Sequence, residues 1–276
     1  MTDITVQFRS QYKWQVELLC KAEKSHGRAN YVVSFNLLGN LYYLKKFHLP
    51  KAYHREKYAW NILQNSMPQV YFDDENHCAI FPNLGETCKN SPDLKDIEGI
   101  ATGLALFHSS IQIDHIGDAL FSSQPVRIHH TLLENGWKVS GIQCYLHGDV
   151  CLPNCLFVKG KFNTFIDYEE SNWGDPIIDF AIAIVECCTV PSINRYQAQS
   201  RYTAFVNAYF STFPSKQMVD LIKDTEQWKM CLHFSILELQ QWAEFHDLIK
   251  MVKDYRKADT LLSQINLNLV QKTAGA

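Results

Sequence analysis

The sequence predicts an α+β fold, with a small antiparallel β-sheet lobe at the N-terminus and a larger, mainly helical lobe at the C-terminus. Runs rich in Val and aromatic residues fill most of the first part of the chain, whereas apolar residues at helical spacing dominate from residue 93 onward. Between the two, Pro82 is expected to end the strand ladder and Gly85 to permit a sharp turn. The expected domains are therefore 1–80, a hinge at 81–85, and 86–276.

Two hairpins and a further pair of short strands account for the expected strands. The first hairpin is predicted to turn at Gly39-Asn40, between two aromatic-rich runs, and the short strands are joined by the acidic turn 73–76. The second hairpin lies in the C-terminal lobe, where the chain is expected to fold back on itself around Gly160. The predicted strands of the N-terminal lobe are 30–37, 41–47, 69–72 and 77–81, and the C-terminal hairpin covers 155–166.

Helical spacing marks one segment of the N-terminal lobe and most of the C-terminal lobe. In the first of these, 54–64, the side chains of Tyr58, Ile62 and Leu63 are expected on one apolar face, and Pro68 is expected to end the element. The helical segments of the C-terminal lobe are predicted at 93–109 and near 195–211, 215–229 and 232–254.

Composition and charge exclude several classes of protein. Of the 276 residues, 46% are hydrophobic and 20% are charged, which is typical of a globular chain and not of a disordered one. The net charge of −3 and the absence of a basic stripe argue against binding to duplex nucleic acid. The sequence has no signal-peptide pattern and no apolar run of about 18 residues, so no membrane association is expected. Nine irregularly spaced Cys residues indicate reduced thiols and a cytoplasmic location.

The residues that carry chemistry flank the C-terminal hairpin. Because this hairpin folds about Gly160, Asn154 and Asp167 are expected to meet at its open end, which Asp149 reaches on the preceding loop. Phosphoryl transfer needs a base near the acceptor hydroxyl and oxygen ligands for Mg²⁺. Asp149 suits the first role, and Asn154 and Asp167 suit the second. The alternative is a polar loop with a turn aspartate and a capping asparagine.

These residues belong to a longer motif. The chain has His147-Gly148-Asp149 followed by Asn154, then Ile166-Asp167, and then Gly-Asp-Pro-Ile-Ile-Asp at 174–179. This order and spacing resemble the aminoglycoside phosphotransferase and choline kinase superfamily, specifically over 145–183 and by element order over most of the chain.

The resemblance implies a protein-kinase-like fold and assigns roles to individual residues. It makes Asp149 the catalytic base, and it makes Asn154 and Asp167 the magnesium ligands. It assigns Asp179 to holding the catalytic loop through backbone hydrogen bonds, with His147 as a further structural support. The segment beginning at Asp179 is similar to the DFG of protein kinases, but the spacing from Asn154 favours Asp167 for that role.

The resemblance also assigns the N-terminal lobe to nucleotide binding. Lys45 resembles the strand lysine that contacts the α- and β-phosphates, and Glu56 is its expected ion-pair partner. The alternative for Lys45 is a solvated lysine at the sheet edge, with Lys46 on the opposite face of the strand. The alternative for Glu56 is a surface charge on the helix. Ser25 and Gly27 are candidates for a small polar turn that reaches the phosphates, although an ordinary hairpin turn fits equally well.

The hinge is expected to bind adenine through its backbone. Its N–H and C=O groups would contact the adenine edge, so the side chains there carry little information. The residues assigned to this role are Phe81, Asn83 and Leu84.

Acidic and aromatic residues near Asp167 indicate a cationic or polyhydroxylated acceptor. Carboxylates attract an ammonium group, and a Trp face adds a cation–π contact. The residues assigned to the acceptor are Glu169, Glu170, Trp173 and, on a later helix, Trp242. Packing in the core or simple solvation are the alternatives for each.

The predicted activity is the magnesium-dependent transfer of the terminal phosphate of ATP or GTP to a hydroxyl of a small molecule, such as an amino alcohol or amino sugar. A protein acceptor is disfavoured because His-Gly-Asp stands in place of His-Arg-Asp and no Ala-Pro-Glu is found. A catalytically silent nucleotide-binding module is the second rival. A zinc site at His147, Cys151 and Cys155 is disfavoured because no Cys-x-x-Cys is present. The sequence predicts no oligomeric state.

Overall fold

The computed structural model describes residues 30–37, 39–63, 69–110 and 140–267. The chain divides into two compact units, Met1–Asn83 and Leu84–Ala276. Ser25, Gly27 and Pro68 lie outside the described residues. Within the described part, no helix is long and apolar enough to cross a membrane.

The first unit contains a four-stranded antiparallel sheet with strand order β1-β2-β4-β3. The strands are β1 (Asn30–Leu37), β2 (Asn40–Phe47), β3 (Tyr71–Asp73) and β4 (Cys78–Pro82). Leu37 pairs with Asn40, so Asn40 belongs to β2. The predicted turn at Gly39-Asn40 was therefore wrong by one residue. Gly39 itself has a φ of 80°, which a residue without a Cβ adopts at low cost.

Helix α1 (Pro50–Leu63) follows β2 and begins four residues before its predicted start. Proline is compatible with the first turn of a helix, because the N–H that it lacks has no intrahelical partner there. The buried face starts at Tyr53 and repeats every three or four residues through Glu56 and Trp60 to Leu63. The predicted apolar face was therefore misplaced, since Tyr58 and Ile62 are only half-buried.

The second unit combines short strands with helices. Its strands form two small sheets, one with the order β5-β7-β8 and one pairing β6 with β9. They are β5 (Glu86–Thr87), β6 (Cys144–Leu146), β7 (Cys155–Val158), β8 (Lys161–Phe165) and β9 (Asn172–Gly174). The helices are α2 (Leu94–Ser110), α3 (Ile177–Ala183), α4 (Arg195–Thr212), α5 (Lys216–Lys223), α6 (Thr225–Phe245) and α7 (Ile249–Gln264).

Two of the predicted helices are each interrupted. The predicted segment 215–229 is divided between α5 and α6 by Asp224, whose side chain caps α6 by accepting a hydrogen bond from the Gln227 N–H. The predicted segment 232–254 is divided between α6 and α7 near Asp247, which has a φ of 55°. Both breaks follow from local backbone conformations that apolar periodicity does not report.

The core of the second unit fixes the segment that follows β9. Phe180 of α3 is fully buried, and its ring contacts Phe205 and Tyr209 of α4 and Trp228 of α6. Aromatic pairs of this kind add to the free energy gained by burying apolar area. The α3 segment is therefore anchored from two sides, and with it the residue that precedes Phe180, Asp179.

Candidate active site

The open end of the β7–β8 hairpin brings two of the predicted residues together. Cys155 pairs with Phe165 in the ladder, and the Ile166 N–H donates to the Asn154 carbonyl at 3.0 Å. Asn154 and Asp167 therefore stand at the same end of the hairpin, on the two chain segments that leave it.

Asn154 also contacts Asp149. Its side-chain Nδ2 lies 2.9 Å from Asp149 Oδ2 and 3.0 Å from the Asp149 carbonyl oxygen. A single 3₁₀ turn, Leu152–Asn154, ends at Asn154 and brings its amide back toward the Asp149 carboxylate. The loop and the hairpin thus place a carboxylate and an amide in direct contact.

Several negatively charged side chains lie near Asp149. Burial, followed by the negative charge of Asp167, raises the pKa of Asp149 to about 6, while the hydrogen bond from Asn154 opposes the rise. Glu170 adds a smaller repulsion. Several carboxylates within electrostatic reach of each other create a potential that favours cations.

Asp167 has an unusual backbone. Its φ of 69° and ψ of 63° place it in the left-handed region, which most residues with a side chain avoid. Asp and Asn are the residues that most readily adopt it after glycine. The conformation redirects the chain from β8 into a 3₁₀ turn, Tyr168–Glu170, that runs beside the His147–Asp149 loop.

Asp179 is fully buried and accepts two hydrogen bonds from that loop. The donors are the His147 N–H at 2.6 Å and the Gly148 N–H at 2.8 Å. The Asp179 carboxylate also lies 3.2 Å from His108 Nε2, and His108 Nδ1 lies 2.6 Å from the Tyr209 hydroxyl. Burial opposes ionisation, but the interactions with His108, with His147 and with the Gly148 N–H together outweigh it and lower the pKa of Asp179.

His147 connects the loop to the hairpin. Its Nε2 lies 2.9 Å from the Ile166 carbonyl, and its Nδ1 accepts a hydrogen bond from the Asp149 N–H at 3.2 Å. Because a carbonyl only accepts, Nε2 carries the proton in this arrangement. Burial lowers the pKa of His147, which keeps the ring neutral.

The zinc alternative gains no support from this geometry. Both nitrogens of His147 are already hydrogen-bonded. In the described part of the chain, no group of three or more His, Cys, Asp or Glu side chains is arranged to hold a metal ion.

Gly148 allows the loop to approach the turn that follows Asp167. It has a φ of 84°, and a Cβ added there would lie 2.2 Å from the Glu170 carbonyl oxygen. Any other residue at this position would therefore displace either the loop or the turn.

In the first unit, Lys45 and Glu56 form a buried ion pair. Lys45 Nζ lies 3.3 Å from Glu56 Oε2, and the residues are 7% and 1% exposed. Glu56 Oε1 also accepts a hydrogen bond from Trp60 Nε1 at 2.9 Å. This burial excludes the alternatives of a solvated edge lysine and a surface helix charge.

The predicted hinge residues have hydrogen-bonding partners of their own. Phe81 lies in β4 opposite Tyr43, and the Asn83 N–H donates to the Leu41 carbonyl at 3.0 Å. The Leu84 carbonyl, at the start of the second unit, accepts from Asn163 Nδ2 at 2.8 Å. Backbone groups that are already bonded within a unit are weaker candidates for contacting a base.

A family model described as the phosphotransferase enzyme family, APH, matches residues 99–247. The chain belongs to this family. The predicted resemblance is thereby confirmed. No curated protein sequence matches the chain.

Solved structures of phosphotransferases share the fold of this APH-family chain. Amicoumacin kinase hAmiN, in complex with AMP-PNP, Ca²⁺ and Ami, has a TM-score of 0.60 and 13% identity, with 95% of this chain and 96% of that chain covered. Choline kinase LicA from Streptococcus pneumoniae has a TM-score of 0.53 and 16% identity, with coverages of 94% and 99%. Aminoglycoside phosphotransferase APH(4)-Ia, with ADP and hygromycin B, has a TM-score of 0.55 and 10% identity, with coverages of 91% and 97%. The predicted α+β, protein-kinase-like fold is confirmed.

The four residues assigned to the acceptor are distributed over the 3₁₀ turn after Asp167, β9 and α6. Glu170 is exposed and lies close enough to Asp149 to affect its pKa, and Glu169 is half-buried. Trp173 lies in β9 with its ring 5.3 Å from that of Tyr145. Trp242 is 48% exposed on α6, with its ring 4.7 Å from that of His246 on the C-terminal side of the same helix. A role for Trp242 in this APH-family protein has the least support of the four.

Glu186 and Tyr255 were not predicted from the sequence. Glu186 lies in a π-helical turn, Ile184–Thr189, that continues α3, and it accepts a hydrogen bond from the Tyr255 hydroxyl at 2.5 Å. Burial raises the pKa of Glu186 to about 7, and the negative charge of Asp149 contributes to the rise. A carboxylate inside the apolar run 182–190 was the available signal in the sequence. π-Helical turns of this kind are frequent at functional sites.

Proposed function

We propose that this protein transfers the terminal phosphate of ATP or GTP, in the presence of Mg²⁺, to a hydroxyl group of a small molecule. The observation that carries this proposal is the contact of Asp149 with Asn154 beside Asp167 at the open end of the β7–β8 hairpin. Membership of the phosphotransferase family supports it independently.

Asp149 is the base in this mechanism. With a pKa of about 6, its carboxyl group is mostly ionised at neutral pH and still basic enough to accept a proton from an acceptor hydroxyl. The Asn154 amide orients the carboxylate, and the Asp179 carboxylate holds the backbone of the loop that carries it. Phosphoryl transfer requires mostly positioning and charge stabilisation, which such a fixed loop supplies.

The same residues fit a magnesium ion. Because the Asn154 nitrogen points to Asp149, its oxygen is directed elsewhere, and Asp167 offers a carboxylate at the same end of the hairpin. Amide and carboxylate oxygens are ligands that Mg²⁺ accepts, usually together with water and nucleotide phosphates. When bound, the ion would neutralise the charge on the phosphates.

The Lys45–Glu56 pair supports nucleotide binding by the first unit. An ammonium group held by a buried carboxylate is the arrangement used to contact the α- and β-phosphates in kinase-like enzymes. Burial of both partners gives the lysine a fixed position, which a solvated side chain would lack.

The negative surroundings of Asp149 favour a cationic acceptor. Asp167, Glu170 and Glu186 all act electrostatically on this carboxylate or are acted on by it. We propose an amino alcohol or an amino sugar, since an ammonium group is attracted by such a potential. Similar folds occur in proteins named as kinases of choline, ethanolamine and amicoumacin. The irregular set of Cys residues supports a cytoplasmic location.

The test is a panel of acceptors scored by release of ADP or GDP in the presence of Mg²⁺. The panel contains choline, ethanolamine, kanamycin, homoserine, methylthioribose and a neutral sugar, with a generic protein substrate to represent the rival activity. Thermal-shift measurements with each nucleotide identify the donor, because a ligand at 100 times its Kd adds about 2.7 kcal/mol of stability. Asp149→Asn serves as the control for turnover at this site.

Each outcome separates the proposal from its rivals. Turnover with an acceptor of net positive charge (choline, ethanolamine or kanamycin) that disappears in Asp149→Asn supports the whole proposal. Turnover only with the zwitterion homoserine, with methylthioribose or with the neutral sugar refutes the cationic acceptor and leaves the small-molecule transfer. Turnover only with protein favours the first rival, and nucleotide binding without any turnover favours the silent module.

A further inference from the structure

A surface pocket of about 360 Å³ lies in the second unit between the start of α2 and the first half of α4. Its volume falls within the range of small-molecule sites, about 300–1,000 Å³. Residues 92–94 (Pro, Asp and Leu) line one side, and Tyr196, Gln197, Ser200 and Arg201 line the other. None of these residues belongs to the site around Asp149.

Arg201 places a buried positive charge at this pocket. The residue is 1% exposed, with Nη1 donating to Ser192 Oγ at 3.0 Å and Nη2 donating to the Pro92 carbonyl at 2.6 Å. Burial lowers the pKa of its guanidinium, which nevertheless remains protonated in proteins. Across residues 30–37, 39–63, 69–110 and 140–267, no carboxylate forms an ion pair with Arg201.

A guanidinium group with only neutral partners is uncommon in a protein interior. It carries five N–H donors, and the hydroxyl of Ser192 and the carbonyl of Pro92 take two of them. Neither partner compensates the charge. Buried charges are normally paired, because removing a charge from water is costly. An anion entering the pocket would supply the missing charge.

Asp93, which lines the pocket, and the nearby Asp96 form ion pairs with Lys89. The carboxylates lie 2.9 Å and 3.0 Å from Lys89 Nζ, and each also accepts a hydrogen bond from the other residue's backbone N–H at the start of α2. Lys89 therefore offsets one of these two negative charges, and neither carboxylate pairs with Arg201. In addition, α2 and α4 both begin beside the pocket, and helix N-termini favour negative charge.

The pocket also offers apolar surface. Leu94 is 46% exposed and Tyr196 is 69% exposed, and both line the pocket beside Pro92. A small inorganic ion would leave this surface uncovered. We propose that the pocket is a second ligand site, which binds an organic anion with an apolar body and a carboxylate or phosphate head, and that Arg201 neutralises the head.

The experiment measures binding of three probes to the full chain by calorimetry. Benzoate and phenyl phosphate carry the two anionic heads on the same ring, and benzamide is the neutral counterpart. Ser200→Trp fills the pocket from its exposed rim, and Ser211→Trp places the same side chain at an exposed position of α4 outside the pocket. Arg201→Gln removes the charge, and Arg256→Gln, exposed on α7, is the matched control.

At least one anionic probe is expected to bind the wild type at least about tenfold more tightly than benzamide, and Ser200→Trp is expected to weaken that binding by about tenfold or more. Ser211→Trp and Arg256→Gln should leave it unchanged. Absence of binding by both anions, equal binding of benzamide, or unchanged binding in Ser200→Trp would overturn the proposal. If Arg201→Gln fails to fold, Ser200→Trp decides alone. None of these results depends on phosphotransferase turnover.

Discussion

The side-chain amide of Asn154 donates a hydrogen bond to the carboxylate of Asp149, with 2.9 Å between Nδ2 and Oδ2. This contact fixes the amide with its nitrogen toward Asp149 and its oxygen directed elsewhere. Charge-assisted hydrogen bonds of this kind are shorter and stronger than neutral ones. One residue thereby orients the proposed base and presents an oxygen for a metal ion, so the two roles are structurally coupled.

Replacing Asp149 by Asn is expected to preserve folding and nucleotide binding while lowering kcat by ~10²–10⁴, because an amide cannot accept the proton of the acceptor hydroxyl. The shape of the side chain is kept, and a neutral group is favoured by the burial that raises the pKa of Asp149 to about 6. Release of ADP measures kcat, and calorimetry measures nucleotide binding. Asp220→Asn, an exposed carboxylate on α5, is the control. A kcat near that of the wild type would remove Asp149 from the mechanism.

Replacing Asp167 by Asn is expected to weaken the magnesium dependence of nucleotide binding, because the negative charge is lost although an amide oxygen remains, with little change in stability. Asn tolerates the left-handed backbone that Asp167 adopts, whereas Ala would add strain of about 1–2 kcal/mol. Magnesium titration by calorimetry, with nucleotide present, is the measurement. Glu169→Gln, the next carboxylate along the chain, is the matched control, since Asp175 is held by Ser140 and the Ile177 N–H. An unchanged magnesium dependence in Asp167→Asn would refute the assignment.

The sequence predicted the arrangement around the hairpin because that arrangement is local. Asn154 and Asp167 flank two strands joined by the turn at Gly160, so counting residues along the strands was sufficient to place both at the open end, although a register shift between Leu156 and Phe157 moves the pairing by one residue. The assignment of Asp149 needed only the short loop before Asn154. Short-range geometry and a motif of fixed spacing are therefore predictable from the sequence.

Long-range contacts could not be predicted in the same way. Glu186 meets Tyr255, which is 69 residues away, and Arg201 meets Pro92, which is 109 residues away. Such pairs depend on how α4 and α7 pack, and no periodicity within one helix reports the packing partner. The break at Asp224 was missed for a different reason, because the capping preference of one Asp competed with an unbroken apolar pattern.

Replacing Glu186 by Gln is expected to increase stability relative to the wild type more at pH 8 than at pH 5. Burial raises the pKa of Glu186 to about 7, with the negative charges of Asp149 and Asp254 adding to the rise and the hydrogen bond from Tyr255 opposing it. Cys151 and Cys187 also interact electrostatically with the Glu186 carboxyl group. At pH values between 4.5, the ordinary pKa, and about 7, the folded protein holds a proton on Glu186 that the unfolded chain has released. The wild type therefore loses stability as the pH rises through this window.

Urea unfolding of the wild type and Glu186→Gln at both pH values measures the effect. The stability of the variant relative to the wild type should increase between pH 5 and pH 8 by about 1–3 kcal/mol. Glu226→Gln, which removes an exposed carboxylate from α6, controls for the change in net charge. A difference between Glu186→Gln and the wild type that stays constant with pH would show that Glu186 is ionised in the folded protein throughout this range.

Replacing Gly148 by Ala is expected to destabilise the protein more than replacing Gly141 by Ala, and only the first change should lower kcat. The two glycines have φ values of 84° and 78°, so the cost of the left-handed backbone, about 1–2 kcal/mol, is common to both. At Gly141 a Cβ would meet nothing within 4 Å, whereas at Gly148 it would lie 2.2 Å from the Glu170 carbonyl oxygen. Relief of that overlap must move the loop that carries Asp149 or the turn that follows Asp167, and we expect a total cost of about 3–5 kcal/mol. Urea unfolding gives the two free energies, and ADP release gives kcat. Equal destabilisation by the two substitutions would mean that the loop and the turn do not approach each other as closely as the structure places them.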